Sequence, residues 1–324
     1  MRYEFACVLK AKFQEHLALR IASGKHCGPE QCAMTNLDRF LVSTGYAKKA
    51  LPESVLAEWL AGMDTKAITR RWRLQAISQL TKYLTSIGIE AVLPEKPRAS
   101  SEYVPYIFSS DELSRIMAAA DNRQLGRNAS RMSAASQLPV LLRVLYGCGL
   151  RAGEALSLRW RDFDAENGII HVRCAKNNKQ RIVPCSKSLS DLFILYRSSG
   201  MTYTEEESYI FSNRNGSHYS LNYMWVLFSE VLESAGVEIV RGKIGSRGPC
   251  IHSLRHTFVL RSFSKMESEG NVFEEAVPYL STYLGHSSIL ETDKYLRFSH
   301  EICEDAYDLI GEYTQDIFPE VIQE

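Results

Sequence analysis

The 324-residue sequence has no apolar run approaching the roughly 20 residues that a membrane-spanning helix needs, so no membrane partner is expected. Its opening, MRYEFACVLKAKFQEH, is charged throughout and lacks the apolar stretch of a secretory signal, which leads us to expect a cytoplasmic protein. Paired cysteine spacing is missing too. Eight cysteines are scattered along the chain, and HCGPEQC offers Cys27 and Cys32 without a second ligand pair, which favours reduced thiols over a zinc module. No carboxylate group looks like a metal site, and neither repeats nor low-complexity segments are visible. Nucleotide loops are absent as well. RGKIGSRGP does not follow the order G-x-x-x-x-G-K-[ST], and YGCGLRAGEA places Gly147, Gly149 and Gly153 as G-x-G-x-x-x-G. A dinucleotide fingerprint needs its third glycine one residue earlier and a strand before it, whereas LPVLLRVLY has helical character. Neither a metal nor a cofactor is expected.

What is present is an ordinary globular composition, 45% apolar and 23% charged, at a length that suggests about two domains. Net charge is zero but unevenly spread: residues 1–98 hold 15 Lys/Arg against 9 Asp/Glu, while residues 301–324 hold 8 acidic residues and no Lys or Arg. A neutral total can thus combine a basic working surface with an acidic extension. Residues 1–95 read as helices. EFACVLKAKFQEHLALRIAS repeats apolar residues near a 3.6-residue period, CAMTNLDRFLVSTGY follows, and PESVLAEWLAGM has Pro52 at its start. The next helix, capped by Asp64 or Thr65 and running to Gly88, is expected to bury Ile68, Trp72, Ile77, Leu80 and Leu84. Arg70, Arg71 and Arg73 are left near its N-terminal end, either as a solvated face or as phosphate contacts on DNA. The proline-bearing stretch LPEKPRASSEYVP supplies a linker, placed at 96–106. Beyond it the chain reads as mainly helical with one hairpin: GIIHVRCAKNNKQRIVP has β-branched segments at 169–173 and 181–183 around a polar tip with Lys176 and Lys179. YIFSNRNG suggests another short extended piece, and LNYMWVLFSEVLESAG an amphipathic helix.

Four fragments carry the chemistry: GLRAGEALSLRW, AKNNKQRIVP, HSLRHTF and LGHSSILETDKY. They contribute Arg151, Lys176, His252 with Arg255, His286, and Tyr295. In this order the chain resembles the tyrosine recombinases of the phage integrase family, very specifically across 140–300 and as a helical pattern across 1–95. The resemblance implies an N-terminal helical, SAM-like core-binding domain (1–95) and, after the linker, an α+β catalytic domain (107–300). The fold is then mainly α, with a small antiparallel sheet in the catalytic domain. An acidic tail helix (301–324) would dock on its own domain or on a neighbouring subunit. Double-stranded DNA and a self-tetramer on two paired sites are the implied partners, with room for accessory DNA-bending proteins. Recombination of a mobile genetic element is the implied setting, while phage, transposon and chromosome all stay open as the host element.

The residue types suit this chemistry. Two arginines present planar donor forks to the nonbridging oxygens of a phosphodiester, where negative charge builds during attack. Tyr295 is the candidate nucleophile; only about one free tyrosine in a thousand is ionised at pH 7, so a cationic pocket and a base must lower that cost. His252 lies three residues before Arg255 on one helical face and is assigned acid–base work. By resemblance, Lys176 protonates the departing 5′ oxygen, with Lys179 as competitor, and His286 hydrogen-bonds the scissile phosphate. Asn177 stands where the family's G-K-G-x-K-x-R-x-V-P pattern has glycine. Glu154 reads as a partner that orients an arginine, and His256 as structural. Because the phosphotyrosyl link conserves bond energy, no ATP is expected, and no metal is expected because the arginine and histidine cluster supplies the charge stabilisation that metals supply elsewhere. Alternatives are type IB topoisomerase-like relaxation and a catalytically silent DNA-binding relative.

Overall fold

The computed structural model describes residues 3–25, 27–98, 105–123, 132–173, 180–239, 248–270 and 273–285, with side chains of 273–276 left aside. It divides into two compact units, residues 1–102 and 103–324. No described helix is long and apolar enough to cross a membrane.

The first unit is built from α1 (Lys10–Ala22), α2 (Gly28–Ser43), α3 (Glu53–Ala61) and α4 (Ala67–Ser86). Phe13, Met34, Leu37, Leu41, Leu56, Trp59, Ile77 and Leu80 form its core. The N-terminal strand of chain is held by the fully buried Asp38, whose carboxylate accepts from the Tyr3 hydroxyl and from the Ala6 and Cys7 amides. Helix α1 consequently begins later than the apolar period suggests, and Phe5 packs into the core from outside the helix.

Helix α4 corrects the expected buried stripe. Trp72 is 68% exposed, and the buried set is Leu74, Ile77, Ser78, Leu80, Thr81 and Leu84. At about 100° per residue, Trp72 lies about 140° around the helix from Ile77, whereas Leu74, Leu80, Thr81 and Leu84 fall within about 60° of it. The same geometry separates the three arginines. Arg70 and Arg73 fall on the extension of the buried stripe and are half-buried, and Arg73 donates to Asn36 Oδ1 at 3.2 Å. Arg71 is exposed.

The second unit contains α5 (Ser110–Asp121), α6 (Ala134–Cys148), α7 (Ala152–Ser157), a 3-10 turn (Trp160–Asp162), β1 (Phe163–Asp164), β2 (Ile169–Val172), β3 (Arg181–Pro184), α8 (Lys187–Ser198), α9 (Leu221–Ser234), α10 (Ile251–Ser268) and α11 (Phe273–Leu284). Ser109 opens α5 with a reciprocal cap, its hydroxyl accepting from the Glu112 amide while the Glu112 carboxylate accepts from the Ser109 amide. The nearly continuous apolar run of α6 makes it the buried helix of this unit, packed on α10, α5, α8 and α9. The expected hairpin is there, with Ile170 opposite Val183 and Val172 opposite Arg181, and a two-residue strand, β1, joins it in the antiparallel order β1-β2-β3. The fold is therefore mainly helical with a small antiparallel sheet. YIFSNRNG forms no strand: Tyr209 and Ser212 make isolated bridges to Arg159 and His218, and the turn follows at Gly216. A separate apolar cluster of Phe258, Val259, Phe263, Val277, Leu280 and Leu284 joins α10 to α11.

Candidate active site

The three glycines of YGCGLRAGE do not form a phosphate loop. Gly147 is inside α6, Gly153 is inside α7, and Gly149 ends α6 in the left-handed conformation at φ 57°. A Cβ on Gly149 would also sit 2.3 Å from the Phe258 ring, so both backbone and space require glycine there. The sharp reversal buries Leu150 and puts Arg151 at the N-cap of α7. There the Arg151 amide donates to Glu154 Oε2 at 3.0 Å and its Nη1 donates to Glu154 Oε1 at 2.9 Å.

The first turn of α10 presents His252 to solvent, while Arg255, one turn later, is only 1% exposed. Arg255 Nη1 donates to Gly149 O at 2.7 Å and its Nη2 to Leu284 O at 2.8 Å. The Arg151 guanidinium, 22% exposed, reaches the same helix end through longer bonds, 3.4 Å to Leu284 O and 3.4 Å to Gly285 O. A third guanidinium, that of Arg181, donates from Nε to Tyr283 O at 2.8 Å. The last carbonyls of α11, which have no partner within the helix, thus receive three arginines, and the positive charges sit at the negative end of the helix dipole. His252 and His256 meet edge to face at 4.6 Å, and His256 is buried.

Glu154 is the hub. Its buried carboxylate takes Arg151 on one side and a two-bond fork from Arg181 on the other, at 3.1 and 2.8 Å. Burial alone would push this carboxyl up, but the bonds and charge of Arg181, followed by the Arg151 donors, hold it down at about 2. It is therefore ionised across the working range of pH and offsets one of the two cations it holds. Beside it, Tyr283 is half-buried and donates its hydroxyl to Cys148 O at 3.2 Å. Burial pushes that phenol well above its ordinary value, which makes it a poor nucleophile.

Arg151, Glu154 and His252 line one open cleft of about 550 Å³, closed on its other side by Leu221, Asn222 and Trp225 of α9. Of the six expected site residues, the structure brings Arg151 and Arg255 together around the ends of α6 and α11, and His252 lines the same cleft as Arg151. Lys176, His286 and Tyr295, with Lys179 and the tail 301–324, lie outside the described residues. His286 directly follows Gly285, the last described residue, where α11 ends at φ 63°. Arg181, absent from the expected site residues, occupies the arginine of the pattern that points to Lys176.

Comparison with known proteins identifies the family and the fold. The phage integrase family matches residues 107–301. A putative integrase/recombinase of Sinorhizobium fredii is 27% identical over 257 residues, covering 77% of this chain and 77% of the relative. The tyrosine recombinase XerC of Xanthomonas axonopodis is 28% identical over 263 residues, covering 80% and 76%. Among solved structures, the XerH site-specific recombinase bound to a palindromic difH substrate superposes with a TM-score of 0.64 at 19% identity, covering 87% of this chain and 78% of that one. A lambda integrase dimer bound to a COC′ core site gives 0.61 at 15% identity, covering 89% and 76%. The chain belongs to the phage integrase family of tyrosine recombinases.

Proposed function

We propose that this protein is a site-specific DNA recombinase that cuts and rejoins DNA by two successive transesterifications. Tyr295 attacks a backbone phosphate, giving a 3′-phosphotyrosyl link and a free 5′-hydroxyl. The 5′-hydroxyl of a partner strand then reverses the step with new connectivity. Each phosphoester broken is replaced by one formed, so neither ATP nor a metal ion is needed for the balance. Arg151 and Arg255 stabilise the charge that builds on the nonbridging oxygens. His252 moves protons at the tyrosine and phosphate. His286 donates to the phosphate, and Lys176 protonates the leaving oxygen.

The observation that carries this reading is the convergence of Arg151 and Arg255 on the carbonyl of Leu284, two residues before His286, with His252 on the same cleft as Arg151. A cationic pocket of this kind suits a phosphodiester. The basic N-terminal unit is assigned to gripping the duplex through Arg70, Arg71 and Arg73, and the hairpin of the second unit through Lys179. Four protomers on two paired sites would supply the exchanging strands.

A second reading, a silent DNA-binding relative, draws support from Arg255, whose two terminal nitrogens are both engaged by protein carbonyls. A covalent trap separates the two. The protein is incubated with nicked duplexes drawn from DNA flanking its own gene, then denatured. A recombinase gives a protein–DNA adduct that Tyr295→Phe abolishes, whereas a silent relative binds equally in both forms and gives none.

A further inference from the structure

We propose that Arg181 is a positioning residue that couples the lysine-bearing hairpin, through Glu154, to Arg151 and to the end of α11. The groups assigned above would then be held as one unit. What those groups do rests on the recombinase reading; the coupling itself does not.

Arg181 begins β3, and its pairing with Val172 is the last described rung before the hairpin tip. Its side chain is 9% exposed and is used in two directions at once. The Nη1 and Nη2 pair grips the Glu154 carboxylate, and Nε reaches back to Tyr283 O. Glu154 in turn holds the backbone and side chain of Arg151. One guanidinium therefore connects the base of the tip, the N-terminus of α7 and the C-terminus of α11. The other side of the hairpin base is pinned by Arg173, which donates to Asp162 Oδ1 at 2.7 Å.

The fold makes room for this side chain. A Cβ on Gly285 would lie 3.1 Å from Arg181 Nη1 and 3.2 Å from its Cδ, so the glycine that ends α11 also clears the space the guanidinium occupies. A lysine would keep the charge, but its single ammonium cannot make a parallel fork to the carboxylate and also a third bond from a nitrogen two atoms closer to the chain. Charge arithmetic points the same way. Glu154 offsets one of the two cations it holds, so the pair contributes one net positive charge to the cleft. Removing Arg181 would leave Glu154 to cancel Arg151 itself.

The test uses full-length Arg181→Lys, Arg181→Gln, Glu154→Gln and the double variant Arg181→Gln/Glu154→Gln. Two measurements are made: adduct formation on nicked duplex with single-site binding, and hydrogen exchange of the free protein. Arg181→Lys should slow adduct formation about 10- to 100-fold, the usual cost of losing a residue that orients an active-site group. Single-site affinity should stay within about threefold. The double variant should be no slower than the slower single, because both act on one link. In Arg181→Gln the Glu154 carboxyl rises from about 2, so adduct formation should gain an acid limb that neither the parent nor the double variant shows. Exchange should quicken in segments 149–157 and 280–285 of Arg181→Lys and stay unchanged in α1–α4. Parental adduct rate together with parental exchange in Arg181→Lys would overturn the coupling. So would a parallel fall of binding, thermal stability and adduct formation, which marks a merely structural arginine. A parent that forms no adduct counts against the recombinase reading alone, and exchange then decides the coupling.

Discussion

Gly149 and Glu154 show how single residues shape the site. Gly149→Ala meets two penalties, about 1–2 kcal/mol for a left-handed backbone and about 1–3 kcal/mol for forcing a methyl into the Phe258 ring. We expect Gly149→Ala to lower the unfolding midpoint of the second unit sharply. Gly153→Ala, with nothing within 4 Å of its added methyl, should change stability by less than about 1 kcal/mol. Glu154 predicts a pH effect of definite sign. Its folded value of about 2 lies below the ordinary 4.5, so its stabilisation is fully present above about 4.5 and is lost as pH falls toward 2. Urea midpoints followed from pH 6 to pH 2 should therefore fall in that window for the parent, with a flatter fall in Glu154→Gln. That variant should start lower at neutral pH, because it strands two guanidiniums beside a neutral amide. Glu154 was legible in sequence as the partner of an arginine, since residues three apart at a helix start can meet. Arg181 was not, because its bond to Glu154 spans 27 residues and depends on the tertiary fold. The burial of Arg255 was hidden for the same reason: its partners, Gly149 and Leu284, lie 106 and 29 residues away.

At the scale of elements, the reading of α4 failed where a pattern was followed without its phase. Ile68 and Trp72 share a face by their spacing of four, but the step of five to Ile77 leaves that face. Trp72→Ala should accordingly leave thermal stability within about 0.5 kcal/mol of the parent, while Ile77→Ala, fully buried, should cost about 2–5 kcal/mol. The hairpin was legible because two β-branched segments flank a polar tip, and α9 because its apolar stripe is unbroken. β1 was not, since two residues carry no period. The arginines of α4 divide the same way. Arg73 is tied to Asn36, so Arg73→Ala should lower the stability of the first unit; Arg71, exposed, should not.

For the whole molecule, a net charge of zero conceals a basic first unit and an acidic end, and the recombinase reading assigns the basic part to phosphate contacts. Each neutralised phosphate should add about 0.9 to the steepness of log affinity against log salt concentration. Duplex binding should therefore weaken steeply with salt, and Arg71→Ala should reduce the slope by about one without altering sequence preference. A flat salt response would remove α4 from the interface. The central claim is the tyrosine that joins the DNA. Trapping the covalent complex on nicked duplex, digesting it and finding by mass spectrometry which residue carries the nucleotide tests that claim most directly. The account predicts a 3′-phosphoryl adduct on Tyr295 and none in Tyr295→Phe. An adduct on another residue, such as the half-buried Tyr283, or tight specific binding without any adduct, would contradict it.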